Sequence, residues 1–384
     1  TNRIADLESI LGDENKLRLV IKEELLEVRA EHDTPRRSQI TFDMGDMEIE
    51  DLIDDVPVVI TLSKGGYIKA VASETFKTQG RGGRGVQGAR LKEDDLLVKV
   101  LTTSVHSYLL FFSNKGKVYR LKAYQVPVME RTARGTALVN LLQLDSDEFI
   151  EAVIDAREFD DQHYLMFVTR NGTVKKTALS EYDKSRTNGL IAINLSEDDE
   201  LVRVVETTGE DDIFMISKDG QTIRFSESAV RPMGRTAGGV RGMKLRGTDV
   251  VVAAVAANHI DSRQLLIVTE GGFGKRTDLV HYPRKGRGTM GVRGIKLTEA
   301  RGAAVVAARL VDVTDQIILV SSGGVLIRTS VEQVAQQGRD ASGVRVMSLG
   351  AEESVAALAP VTVEDDEDIE LVENDILAVS EEGN

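Results

Sequence analysis

A unit of about fifty residues occurs six times in this chain, and such a chain is committed to an architecture of like parts packed side by side. Each unit holds a short apolar run, a glycine turn, and then a strand carrying Lys or Arg. The units read VVITLSKGGYIKA, LLFFSNKGKVYRL, LMFVTRNGTVKKT, IFMISKDGQTIRF, LLIVTEGGFGKRT and IILVSSGGVLIRT. Their turn glycines are Gly66, Gly116, Gly172, Gly220, Gly272 and Gly324, spaced by 50, 56, 48, 52 and 52 residues. A second mark follows each turn, a glycine six residues before a leucine: Gly85, Gly135, Gly189, Gly239, Gly291 and Gly343. It lies 19 residues past the turn glycine in five units and 17 in the third.

Each unit reads as four strands. Apolar runs such as 109–112 and 317–320 suit strands buried on both faces. Asn171-Gly172, Asp219-Gly220 and Gly271-Gly272 suit two-residue hairpin turns, which need positive φ. The strand after the turn, such as 222–225, pairs back across it. A third strand runs from the second glycine to its leucine, as in 239–245, and a fourth follows an acidic turn, as in 201–205. A four-stranded unit of this length is a blade, and six blades around an axis leave no open sheet edge. The expected fold is all-β, a six-bladed propeller-like ring over residues 56–362. The first unit begins at 58–62 with no fourth-type strand before it, while the sixth is followed by one at 355–361. That last strand is free to complete the first blade and close the ring, and an open spiral would leave the same count of strands.

The two ends are different in kind. Residues 1–33 are helical by period, with apolar stripes at Ile4, Leu7, Ile10 and Leu11 and at Leu17, Ile21, Leu25 and Val28, broken near Gly12-Asp13. Residues 34–55 read as a linker, and 363–384 as an acidic disordered tail. The net charge of −14 conceals this division. Residues 1–51 carry 14 acidic and 7 basic side chains, and 363–384 carry 10 acidic and none basic. The remainder holds 41 basic and 38 acidic residues, a balance of +3. The ring itself is mildly basic.

Cations recur three or four residues past the turn glycines: Lys69, Arg120, Lys175, Lys176, Arg224, Lys275, Arg276 and Arg328. The following loops add Arg131, Arg134, Arg231, Arg235, Arg284, Lys285, Arg287 and Arg339. On any one blade these are ordinary surface residues. Repetition around a ring turns them into a belt of charge, suited to duplex DNA bent around the outside and held through its phosphates without base readout. The densest loop is Gln79-Gly80-Arg81-Gly82-Gly83-Arg84-Gly85. Its glycines match a dinucleotide fingerprint by spacing, but a strand follows, where that fingerprint needs a helix N-terminus. Glycine lets backbone lie close to a phosphate chain and Arg81 and Arg84 supply charge; a blade-connecting loop with tight turns accounts for the composition equally well. Cysteine is absent, which excludes thiolate metal sites, and aromatics at 4% with no Trp supply base stacking poorly. His32, His106, His163, His259 and His281 are scattered without ligand spacing, no apolar run could cross a bilayer, and no catalytic constellation recurs.

Residues 79–85 resemble the seven-residue box of the DNA gyrase A family, Gln-Arg-Arg-Gly-Gly-Lys-Gly, with five positions identical. Arg84 replaces the box Lys and keeps its charge, while Gly80 replaces an Arg and removes one. With the six repeats and the following Val-Gln-Gly, the resemblance covers roughly residues 34–362. The helical start resembles the end of the preceding breakage-reunion domain, including the Pro35-Arg36-Arg37 junction. A partial second box, Lys285-Gly286-Arg287-Gly288, is similar to a feature of actinobacterial gyrases. The resemblance implies a β-pinwheel whose blades exchange a strand with their neighbours and whose rim wraps DNA with positive handedness. With ATP and the gyrase B subunit, an A2B2 enzyme built on the gyrase A homodimer then introduces negative supercoils. It further implies a cytoplasmic, nucleoid-associated protein. The nucleophilic tyrosine lies upstream, ATP and Mg2+ are used by other domains, and this segment has no cofactor of its own. Two alternatives stand beside it. One is the related topoisomerase IV subunit, which usually has fewer blades and a degraded box. The other is a kelch-like interaction propeller, suggested by the Gly-Gly doublets and opposed by the lack of Trp.

Ten tethered carboxylates beside a basic ring reach an effective concentration of order millimolar and compete with phosphates for the same cations. Truncation at Val363 is expected to tighten DNA binding, by a margin that shrinks as salt is raised. Superimposable titrations of the full and truncated chains at two salt concentrations would leave the tail a merely solvating role.

Overall fold

The computed structural model describes residues 2–34, 49–63, 65–72, 97–130, 133–184, 188–258, 260–323, 325–350 and 353–360. The chain divides into two units, Thr1–Ile53 and Asp54–Asn384. In the first, helices Asn2–Gly12 and Glu14–His32 meet where the sequence breaks its apolar stripe. Asp13 is extended and its carboxylate accepts the Asn15 amide at 2.9 Å, capping the second helix. Neither helix buries a residue, and Ile4, Leu11 and Leu25 are exposed. No helix among the described residues is long and apolar enough to cross a membrane.

The second unit is a six-bladed β-propeller of antiparallel sheets, five of them four-stranded and the sixth three-stranded among the described residues. In the second blade, Tyr108–Ser113 and Lys117–Lys122 form the hairpin. Ile150–Ala156 pairs on the inner side of the first hairpin strand, and Leu190–Ile191 pairs outside the second. The order innermost strand, hairpin, short outermost strand holds in the first five blades.

The short outermost strand belongs to the next repeat. Thr136–Ala137, Leu190–Ile191, Val240–Arg241, Val292–Arg293 and Val344–Arg345 each follow a loop glycine and each pair with the preceding blade. The expected strand 239–245 is therefore only two residues long. The cause is local: the amides of Gly242 and Met243 both turn onto the carbonyl of Gly172, at 2.9 and 3.0 Å, and coil the chain out of the ladder. Gly116, Gly220 and Gly272 receive two amides in the same way. The reading in which the last strand completes the first blade is also corrected. Val355–Pro360 pairs with Gln316–Ser321 of its own repeat, and Leu97–Ser104 fills that place in the first blade. What passes between blades is the two-residue strand; the first repeat's counterpart, 86–87, lies outside the described residues.

The hairpin turns differ from the two-residue form as well. The Gly116 amide donates to Ser113 at 3.0 Å, and only the glycine has positive φ, at 73°. This is a type I turn closed by a left-handed glycine. The residue three before each turn glycine is Ser or Thr, and its hydroxyl accepts the amide just past the turn. The pairs are Ser63/Tyr67, Ser113/Lys117, Thr169/Thr173, Ser217/Gln221, Thr269/Phe273 and Ser321/Val325, at 3.1–3.3 Å.

The core lies between blades. Alternate residues of one hairpin strand face opposite neighbours, so the whole run must be apolar. Leu110 and Phe112 pack with Leu165 and Phe167 of the third blade, whereas Met166 and Val168 pack with Ile213 and Met215 of the fourth. Phe214 and Ile216 continue to Leu265 and Ile267, and Leu266 and Val268 to Ile317 and Leu319.

Gly291 shows what holds the exchanged strand close. Its φ is 71°, and a Cβ there would sit 2.2 Å from the Thr222 carbonyl oxygen of the preceding blade. Gly286, in the same loop, has open space around it. Gly291→Ala is expected to destabilise the chain by about 3 kcal/mol, through a left-handed alanine and a backbone clash. Gly286→Ala should stay within about 0.5 kcal/mol. Equal urea midpoints for the two variants would contradict this account of the junction.

Candidate nucleic-acid interface

The cations past the turn glycines do not form an open belt. Lys69, Lys175, Lys176, Lys275 and Arg276 are buried. They lie on the second hairpin strand, one of whose faces looks into the next blade, and all but Lys176 donate to backbone carbonyls, chiefly of the next repeat. Lys69 Nζ donates to Ala133 at 3.0 Å, and Lys275 Nζ to Gly338 and Arg339 at 2.5 and 2.6 Å. Lys175 Nζ donates to Ala192 and Arg235. One residue later, Arg120 reaches Asp183, and Arg224 donates to Leu279 and Tyr282 at 2.8 and 3.2 Å. Arg276 donates to Val334 at 2.6 Å, and Arg328 donates to Gln316 at 2.5 Å within its own blade. Lys176 pairs with the buried Glu227 at 3.5 Å. Most of these side chains are ties between blades.

The ties alternate around the ring. The residue three past the turn glycine is Lys in blades one, three and five (Lys69, Lys175, Lys275) and Tyr119, Ile223 and Ile327 in blades two, four and six. Seven residues on, Tyr182 and Tyr282 of blades three and five alternate with Val126, Val230 and Val334. Burial and then the Arg235 charge push Lys175 down to about 7. Burial pushes Lys275 down to about 8.

The loops carry the exposed charge. Arg134 lies over the Tyr67 ring at 3.8 Å. Arg231 and Lys285 are exposed, and Arg284 is half-exposed, held to Asp212 at 2.7 Å, an aspartate it shares with Arg224. Four residues before the loop glycine, Arg235, Arg287 and Arg339 each donate to the second residue of the preceding exchanged strand. Their acceptors are the carbonyls of Ile191, Arg241 and Arg293, at 2.7, 3.1 and 3.1 Å. Arg81 and Arg131 occupy the same register in the sequence. The box 79–85 and Arg131 lie outside the described residues.

Sequence reasoning missed three cations. Arg241, Arg293 and Arg345 sit at the second position of the exchanged strand in three successive repeats, exposed, on the outermost strand of their sheets. The signal was available: each lies two residues past a loop glycine. Repeats two and three have Ala137 and Ile191 there. Exposed Lys244 and Lys296 extend the charge along repeats four and five. Such a row on a sheet edge can engage phosphates along a backbone; it offers no grouped acid, base or nucleophile for bond chemistry.

A family model described as DNA gyrase C-terminal domain, beta-propeller, matches residues 57–104, 107–156, 163–207, 211–258, 263–312 and 315–362. The gyrase A protein of Staphylococcus epidermidis is 41% identical over 365 residues, covering 94% of this chain and 41% of the relative. The chain thus spans less than half the length of that relative. This staphylococcal kinship lends no support to the actinobacterial likeness of the partial second box. Among solved structures, a topoisomerase IV C-terminal domain superposes with TM-score 0.71 at 26% identity, covering 86% of this chain and 100% of that one. A DNA gyrase A C-terminal domain superposes with TM-score 0.63 at 29% identity, covering 80% and 100%.

The buried lysines make stability depend on pH. An unfolded chain keeps their protons up to the ordinary lysine value of 10.5, while the fold releases them near 7 and 8. Between those values the unfolded state binds more protons, so this contribution makes stability climb as pH rises from about 7 towards about 10, and leaves it flat below. Lys175→Met with Lys275→Met is expected to flatten that climb in thermal midpoints taken across the range. An unchanged slope would show that both lysines remain charged in the fold.

Proposed function

The chain belongs to the DNA gyrase C-terminal domain, beta-propeller family, and from that premise we propose that it wraps duplex DNA around its outer edge so that gyrase can introduce negative supercoils. Support comes chiefly from the row Arg241, Arg293 and Arg345, one exposed arginine per blade on the outermost strand of three successive sheets. Arg134, Arg231, Arg284, Lys285 and Arg287 add loop charge to that row, and the sequence of the box Gln79 to Gly85, outside the described residues, brings further arginines in the first repeat. Phosphate contacts of this kind fix a path for the duplex without reading its bases. Family membership sets aside the kelch-like alternative, and the relatives of known sequence favour gyrase over topoisomerase IV.

In this proposal the chain contributes geometry rather than bond chemistry. Strand cleavage, ATP and Mg2+ belong to parts of the enzyme outside this segment. The partners are duplex DNA, a second gyrase A chain and the gyrase B subunit, in an A2B2 enzyme acting in the cytoplasm on the nucleoid.

If about 6–10 phosphates are engaged, affinity is expected to fall about 10³–10⁵-fold between about 50 and 200 mM salt. Removing Arg241, Arg293 and Arg345 together should lower the salt slope by about 3, one phosphate each. Lys175→Met should leave the slope unchanged, because that side chain is already spent on carbonyls. The unmutated chain should trap plasmid writhe in a relaxation assay with an independent topoisomerase, and the triple variant should trap less. Binding that ignores salt, or untrapped writhe, would defeat the wrapping proposal.

A further inference from the structure

The innermost strands line the axis of the propeller. Each from Leu97–Ser104 to Val355–Pro360 touches its successor in the next blade, and their small side chains leave long ones conspicuous. Two residues into the strand stand Ala152, Ala253, Ala307 and Ala357 in blades two, four, five and six. Blade one has Lys99 at that position and blade three has Arg203; blade five places Arg309 two residues further along. All three are half-buried, and among the described residues none has a hydrogen bond or ion pair.

These cations feel one another across the axis. Burial, and then the charges of Arg203 and Arg309, push Lys99 down to about 8. Burial and then Arg203 lower Arg309. Opposite charge acts only at a distance: Asp155 on Lys99, Glu151 on Arg203 and Asp315 on Arg309. Burial raises Glu151 to about 7, against the pull of Arg203 and with a small push from Glu200, so near neutral pH it is only partly ionised. Each cation thus has one carboxylate acting on it without a direct ion pair, and Glu151 supplies only part of a charge, so positive charge stays in excess beside the alanines of the neighbouring strands. Unpaired charge in such a place is costly and calls for a counter-ion.

We propose that the axial channel binds a small free oxyanion of the phosphate class between Lys99, Arg203 and Arg309. A tetrahedral dianion offers acceptor oxygens in several directions at once, which suits donors converging from three alternate blades. The two guanidinium forks can each hold a pair of its oxygens. The site is distinct from the DNA-facing row, which lies at the opposite edge of the same sheets.

Sulfate is the probe, because it stays a dianion across the useful pH range. The full 384-residue chain is titrated by calorimetry with sodium sulfate against sodium chloride at matched ionic strength, and its thermal midpoint is followed. One saturable site and a rising midpoint are expected. Arg203→Met with Arg309→Met should weaken sulfate binding at least ~10-fold. Its midpoint without sulfate should be no lower than that of the unmutated chain, since mutual repulsion is removed. Arg241→Ala with Arg293→Ala should bind sulfate as before. Binding should tighten as pH falls from about 9 to about 6, where Lys99 gains its proton and Glu151 loses its charge. Should the double variant fail to fold, Lys99→Met serves in its place, with the same loss expected. Absence of a saturable sulfate site, or its survival in these channel variants, overturns the proposal.

Discussion

Every blade but the last is seen to be finished by two residues it does not own, and the rest of the ring is arranged around that exchange. Two residues make too few ladder bonds to hold a neighbour on their own. The loop glycine brings the incoming backbone against the previous hairpin, and in blades two to five the turn glycine's carbonyl takes two amides from just past the exchanged strand. The loop that delivers the strand then has carbonyls with no ladder partner, and Lys175 satisfies that of Arg235 while Lys275 satisfies those of Gly338 and Arg339. A buried ammonium and an irregular loop are each unfavourable alone; together they complete one another's hydrogen bonding.

The repeat, its blade count and the apolar hairpins were legible because burial on both faces leaves an unbroken one-dimensional trace. The cations were not. A lysine three residues past a turn looks the same on paper whether it points to solvent or into the next blade, and only packing distinguishes Lys69 from Lys285. A clue did exist in the alternation of Lys175 and Lys275 with Ile223 and Ile327, since surface positions have no reason to alternate with isoleucine. The length of the exchanged strand was also hidden, because the two amides that end it find their acceptor in the preceding repeat, about seventy residues back (Gly172 for Gly242 and Met243).

Charge in this molecule therefore has separate duties. The balance of +3 over the ring counts side chains that never meet a ligand, being committed to carbonyls between blades. What remains on the outermost strands is uneven: repeats four, five and six carry Arg241, Arg293 and Arg345 where repeats two and three carry Ala137 and Ile191. On the proposed wrapping path, a duplex would meet more outer-edge charge over repeats four to six than over repeats two and three.

The alternation of blades carries a consequence for how a molecule of this design could change length. Junctions are of two kinds, one with a lysine-bearing hairpin feeding the next loop and one without, and they take turns around the axis. Loss or gain of a single repeat would set two like junctions side by side, leaving either loop carbonyls without their ammonium or an ammonium facing a loop not shaped for it. Loss or gain of two repeats would preserve the sequence of junctions.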